Sequence, residues 1–188
     1  MTPKEYALQL ESKLADLLKN NKPLRIGAYS ALAEMSQRIF AEGKNSNGSP
    51  IGQYNATTPI YVSPDQSPKK FPLKGKAGKT TFSDGSPHKT GYFDSYKAFR
   101  EQIGRRTDTV NLQLTGDFKS DLENPVNNIP TPQRVNMNEY EVRLKRPINE
   151  LKRSGLEDKY GTFTRHTSEE LTRFYEVVEK ELSLIFIP

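Results

Sequence analysis

The chain has no cysteine, and that single absence removes a disulfide scaffold, a thiolate metal site and a cysteine nucleophile together. The redox compartment is left open by it. Histidine is nearly absent too: His88 and His166 lie in different regions without HxH or HxxxH spacing. A zinc site would need carboxylates gathered from afar, so solvated imidazoles are the simpler reading. No window approaches the ~18 apolar residues of a membrane helix, and MTPKEYALQL lacks the continuous apolar stretch of a signal peptide. The expectation is a protein made soluble, without a membrane partner and without export by a standard signal. Apolar residues make up only 34% of the 188, which leaves more surface or loop than an average compact enzyme of this length carries. One domain spanning 1–188 is the expected organisation, large enough to bury a core without staples.

What charge there is sits unevenly. The net charge is +5, from 28 Lys and Arg against 23 acidic residues. The segment 43–89 holds seven lysines and two aspartates, so the remainder of the chain balances at 21 of each sign. The same segment contains six of the 12 glycines and six of the 13 prolines. It reads as a long basic loop or arm with short strands at most, around 60–62 and 80–82. A loop of this length inside a compact domain is functional, disordered or a plain flexible insertion. Tyr54, Tyr61, Phe71 and Phe82 are spaced like anchors that tack an arm onto a surface.

Elsewhere the punctuation is clearer. Thr2 as N-cap, Pro3 at the first helical position and Glu5 three residues on form a capping box, followed by Tyr6, Leu10, Leu14 and Leu17 on one helical face. A second helix is expected over 24–42, striped by Ala28, Leu32, Met35 and Ile39 and stopped by Gly43. A third is expected over 92–103, with Tyr92, Tyr96, Phe99 and Ile103 at helical spacing and Gly104 as its stop. Val110, Leu112 and Leu114 then alternate with polar residues as a half-buried strand, and Phe118 to Leu122 reads as strand or short turn. The stretch 124–136 reads as loop. A further strand places Tyr140, Val142 and Leu144 on one face and ends at Pro147. Thr167 and Glu170 make a second capping box before Leu171, Phe174, Val178 and Leu182. These elements sum to an α+β fold class: a small antiparallel sheet packed with three to four helices, plus a long extended Gly/Pro-rich arm. The last residues, 183–188, form an apolar tail in which Leu184, Ile185, Phe186 and Ile187 must dock on the chain's own core or on a neighbour.

The search for chemistry gives a short list. GKAGKT at 75–80 resembles part of a phosphate-binding loop, but Leu73 stands where the first glycine is needed, and neither a buried strand before it nor a helix after it is in place. No GxSxG elbow is present. Glu139 and Glu141 share a strand face, yet Arg143 and Lys145 beside them make an ion-paired outer face the better reading. No catalytic residue, metal site or cofactor is expected from this pattern. Lys69, Lys70, Lys74, Lys76 and Lys79, with Phe71 among them, are sufficient for non-specific phosphate contacts without base reading. No helix-turn-helix, zinc-finger or RNP signature accompanies them.

Three blocks in succession carry a family likeness. They are a helix ending in RIF followed by NGSPIGQY (38–54), then YFDSYKAFREQIGRRTDTVNLQLTGDF (92–118), then DKYGTFTRHTSEEL (158–171). In this order they resemble the virion-morphogenesis, or tail-completion, proteins of tailed bacteriophages, with Arg106 standing where members usually have Gln. The resemblance implies a non-enzymatic virion structural protein, made in the host cytoplasm and placed in the neck or at the top of the tail. It would assemble as a homo-oligomeric ring with portal or adaptor and tail proteins as partners. On that reading Arg38, Phe40, Tyr54, Tyr96, Arg100 and Arg105 join Leu184, Ile185, Phe186 and Ile187 as expected subunit or partner interface residues. The arm lysines would tolerate packaged DNA. The alternative is a non-specific DNA-binding module that uses the basic 69–79 arm.

Overall fold

The structure, a computed structural model, describes residues 2–75, 89–124 and 131–186. It is a mixed α+β arrangement of six α-helices and two small antiparallel sheets among the described residues. The first helix, α1 (Pro3–Asn20), starts on the expected capping box: the Thr2 hydroxyl accepts from the Glu5 amide and the Glu5 carboxylate accepts from the Thr2 amide. Asn21, in the left-handed region, turns the chain directly into α2 (Lys22–Ser36). A π-helical turn over Gln37–Glu42 continues α2 and ends at Gly43, with φ of 66°. A Cβ at Gly43 would stand 2.8 Å from the Val110 carbonyl oxygen, so conformation and space both require glycine there.

The segment after Gly43 is more structured than a bare arm. Lys44 bridges Pro50, Ile51 is buried, and β1 (Ile60–Val62) forms where the sequence suggested a short strand. The strand β3 (Lys89–Phe93) pairs antiparallel with β1 and with the two-residue β2 (Lys74–Gly75). The strand expected around 80–82 lies outside the described residues. Because β3 takes Tyr92 and Phe93, the third helix starts later than expected: α3 (Tyr96–Gln102) is capped by the Ser95 hydroxyl, which accepts from the Ala98 amide. Ser95 is a stronger start signal than the aromatic spacing that had included Tyr92.

Three further expectations are corrected. Residues 110–114 are not a strand. Val110 is buried as the alternation suggested, but Asn111 is buried as well, and Leu112 has φ of 51°. Phe118 to Leu122 belong to a helix, α4 (Asp117–Glu123). The strand at 139–145 shortens to β5 (Glu139–Glu141), paired in a hairpin with β4 (Gln133–Asn136), which had been read as loop. Pro147 does end the extended stretch, but as the first residue of α5 (Pro147–Tyr160). The final helix, α6 (Ser168–Phe186), opens on the Thr167–Glu170 capping box and runs through Leu184, Ile185 and Phe186, which had been read as part of a separate tail.

Two apolar clusters hold this together. The larger joins Leu32, Met35, Ile39 and Phe40 to Ile51, Val110, Phe118, Leu122, Leu144 and Phe163, and the smaller joins Val62, Phe93, Phe99 and Ile103. The helix pair α2 and α6 runs antiparallel and close. A Cβ at Gly27 would lie 2.6 Å from Val178 Cγ2 and 3.0 Å from the Phe174 ring, so glycine sets the approach distance of the two helices.

Candidate assembly surfaces

The arginines singled out by sequence turn inward. Arg38 is buried; its Nε donates to Glu170 Oε1 at 2.6 Å, Nη1 to the Lys44 carbonyl at 3.2 Å, and Nη2 to the carbonyls of Phe163 and Arg165 at 3.1 and 3.0 Å. One guanidinium thus ties the π-helical turn, the loop after it and the start of α6. Burial pushes the Glu170 carboxyl upward, but His166, Arg38 and the Thr167 amide outweigh that and hold it at about 2. Phe40 is buried against Phe118, ring centroids 6.0 Å apart. Arg38 and Phe40 therefore serve the chain's own interior, because their bonding and packing capacity is spent there.

Arg100, on α3, is also interior. Its Nε donates to the Arg106 carbonyl at 3.1 Å, its Nη2 donates to Asn111 Oδ1 at 3.0 Å, and its guanidinium lies 4.2 Å from the Tyr54 ring centroid. The Tyr54 hydroxyl donates to Asn111 Oδ1 and accepts from the Asn111 amide, both at 3.1 Å. Burial raises the Tyr54 phenol above its ordinary value, against lowering by Asn111 and Arg100. Tyr96 meets Tyr54 edge to face, with centroids 5.7 Å apart. Arg105 is half-buried and its Nε has no hydrogen-bond partner among the described residues. The structure thus brings Tyr54, Tyr96 and Arg100 into one cluster, and keeps Arg38 and Phe40 in another.

Above the Tyr54 cluster lies a cavity of about 380 Å³, bounded on one side by the 110–116 segment and on the other by α5. Leu112, Leu114, Leu151, Leu156 and Tyr160 make it mainly apolar, and Arg100 and Lys152 line it as well. Leu151 is 71% exposed at its mouth. Sequence reading missed the α5 side of this groove entirely. The available signal was Pro147 as a first helical residue, followed by Leu151 and Leu156.

Two helices present apolar surface outward. No residue of α1 is buried, and Tyr6, Leu14 and Leu18 of its apolar face are exposed. The last turns of α6 expose Tyr175, Leu184 and Phe186, with Ile185 half-buried and Ile187 outside the described residues. The lysines of the 43–89 segment divide likewise. Lys69 and Lys70 are exposed, Lys74 begins β2, and Lys76 and Lys79 lie outside the described residues. Of the other aromatic residues of that segment, Phe71 packs edge to face on Phe93 and Phe99, Tyr61 meets Tyr92 at 5.2 Å, and Phe82 lies outside the described residues.

Among the described residues no three His, Asp or Glu side chains group as a metal site, and no helix is long and apolar enough to cross a membrane. No family model, curated protein or solved structure matches the chain.

Proposed function

We propose that the chain is a non-enzymatic virion structural protein of a tailed bacteriophage, a neck or tail-completion subunit that assembles as a ring between head and tail. The observation that carries this reading is α1, an amphipathic helix of 18 residues that buries none of them in its own subunit. An apolar helical stripe left in water is normally covered by a partner. The exposed end of α6 and the order of the three motif blocks support the same reading. On this view the Gly/Pro-rich 43–89 segment is an extended arm, anchored by Tyr54 and Phe71 and ordered further by neighbouring subunits or by a portal, adaptor or tail protein. Mass spectrometry of purified particles and electron microscopy of the isolated protein test it. Closed rings and presence in the neck are expected; a monomer absent from particles would sink it.

A second reading, non-specific DNA contact, is favoured by Lys69 and Lys70, both exposed and neither paired with a carboxylate among the described residues. Replacing Lys69, Lys70, Lys74, Lys76 and Lys79 with Ser is then expected to abolish retention on DNA and flatten its salt dependence. Unchanged affinity would reject this reading.

A further inference from the structure

The groove between α5 and the 110–116 segment has two charged lining residues, Arg100 and Lys152, both cationic, beside the hydroxyl-bearing Tyr54, Tyr96, Thr115 and Tyr160. Arg100 is 1% exposed, yet its bonds go only to neutral acceptors, and its Nη1 bonds no described residue. Buried charges are ordinarily paired, whereas this guanidinium is met by two neutral acceptors and the Tyr54 ring and by no carboxylate among the described residues. On α5, Glu150 and Glu157 are engaged by Arg153, and Lys152 lines the groove beside the exposed Leu151; the exposed Asp158 and Lys159 lie two turns further on. Gly155 leaves open space there, since a Cβ would meet nothing within 4 Å. The site fits an apolar helical face that carries a carboxylate.

One surface of the same chain has that composition. Tyr175, Leu182 and Phe186 fall at spacings of seven and four on a single face of α6, with Glu179 between them. Tyr175 is 64% and Phe186 40% exposed. This face cannot reach its own groove. Glu181 is tied to Lys22 at 3.6 Å, at the start of α2, whereas the groove's Phe118 packs on Phe40 beyond the other end of α2. Eighteen residues at helical rise separate those points by roughly 27 Å. Contact between this α6 face and the groove therefore requires a second copy of the chain.

Building on the ring assembly proposed above, we infer that the last turns of α6 from one copy dock in the α5 groove of the next, with Leu182 and Phe186 as anchors and Glu179 facing Lys152 and Arg100. The contact is head-to-tail, so it closes into a ring or runs on as a filament.

The absence of cysteine makes the test direct. A full-length Gly155→Cys chain mixed with a full-length Ser183→Cys chain and a short bis-maleimide is expected to give a cross-linked dimer. A Gly155→Cys and Ser12→Cys mixture, with the second thiol on the polar face of α1, is expected to give roughly tenfold less, because only docking raises the local thiol concentration. In the same assay Lys152→Glu or Glu179→Lys alone is expected to lower the yield roughly tenfold, and the double exchange to restore it. Cross-linking at the control level, or a double exchange that rescues nothing, overturns the inference. If closed rings persist in that case, the ring reading stands without it. Strong specific cross-linking with filaments or dimers in place of rings supports the α6 contact and removes the ring. A wild-type chain that stays monomeric and gives no specific cross-link overturns both.

Discussion

The Arg38–Glu170 pair shows how one residue can fix three segments at once. Glu170 is raised by burial but held at about 2 by His166, Arg38 and the Thr167 amide, against an ordinary value of 4.5. A carboxyl depressed in the folded state stabilises the fold above its unfolded pKa and loses that contribution as pH falls through the folded one. The contribution is roughly 3 kcal/mol at neutral pH, and it is expected to fade between about pH 4.5 and 2. Glu170→Gln leaves Arg38 buried without its counter-charge, so urea denaturation at pH 7 is expected to show a loss of about 3–5 kcal/mol. The variant's stability should also fall less steeply over the same acid range. Asp121 plays a comparable part. Fully buried, it accepts from the amides of Lys145 and Arg146 and from Asn149 Nδ2, and so caps the start of α5 from a different helix. Asp121→Ala is expected to lower the thermal midpoint more than any single exposed-carboxylate change, because it strips those donors of their acceptor inside the fold.

At the scale of elements, the α2–α6 packing depends on Gly27. Gly27→Val would drive a branched side chain into Val178, itself stiff at χ1, and the expected cost is about 2–3 kcal/mol in equilibrium unfolding. The contrast is α1, where Leu14→Lys removes an apolar residue that the subunit does not bury. Stability is expected to stay within about 0.5 kcal/mol, while on the proposed assembly the self-association followed by light scattering weakens. These elements also mark what the sequence could convey. Both capping boxes, the stop at Gly43 and the strand at 60–62 were legible because their signals are local. The 110–114 segment was misread because its alternation comes from a side-chain scaffold: the Asn111 amide donates to the Tyr54 hydroxyl, and the Gln113 amide donates to Asn111 Oδ1 at 3.2 Å. No ladder partner was needed, and no local pattern reveals a bond to a residue 57 positions away. The start of α5 was only half legible, since Pro147 marks a first helical residue but the capping carboxylate is Asp121 of another helix. Hence the Tyr54–Arg100 half of the groove contained residues already singled out, while the α5 half had Pro147 alone to announce it.

For the whole molecule, the balance of 21 basic against 21 acidic residues outside 43–89 gives the folded body no reason to attract DNA by net charge alone. On the proposed assembly, any DNA retention is expected to vanish when Lys69, Lys70, Lys74, Lys76 and Lys79 are replaced, while ring formation, read by native mass spectrometry, persists. The opposite pattern would mean that the arm is an assembly element and the lysines a solvated edge.

The π-helical turn at Gln37–Glu42 gives this architecture a register of its own. A π turn holds more residues than an α turn, so the helix phase slips there. Arg38 faces the start of α6, while Phe40, two residues on, faces Phe118 of α4. Shortening the chain by one residue at Gln37 would let the turn relax to α-helical pitch, in which each residue advances the helix by a larger angle than in a π turn. The angle between Arg38 and Phe40 would change, and the two could no longer both keep their partners. The extra residue thus sets the angle between two buried side chains, and insertion or deletion there should be tolerated far less than in α1.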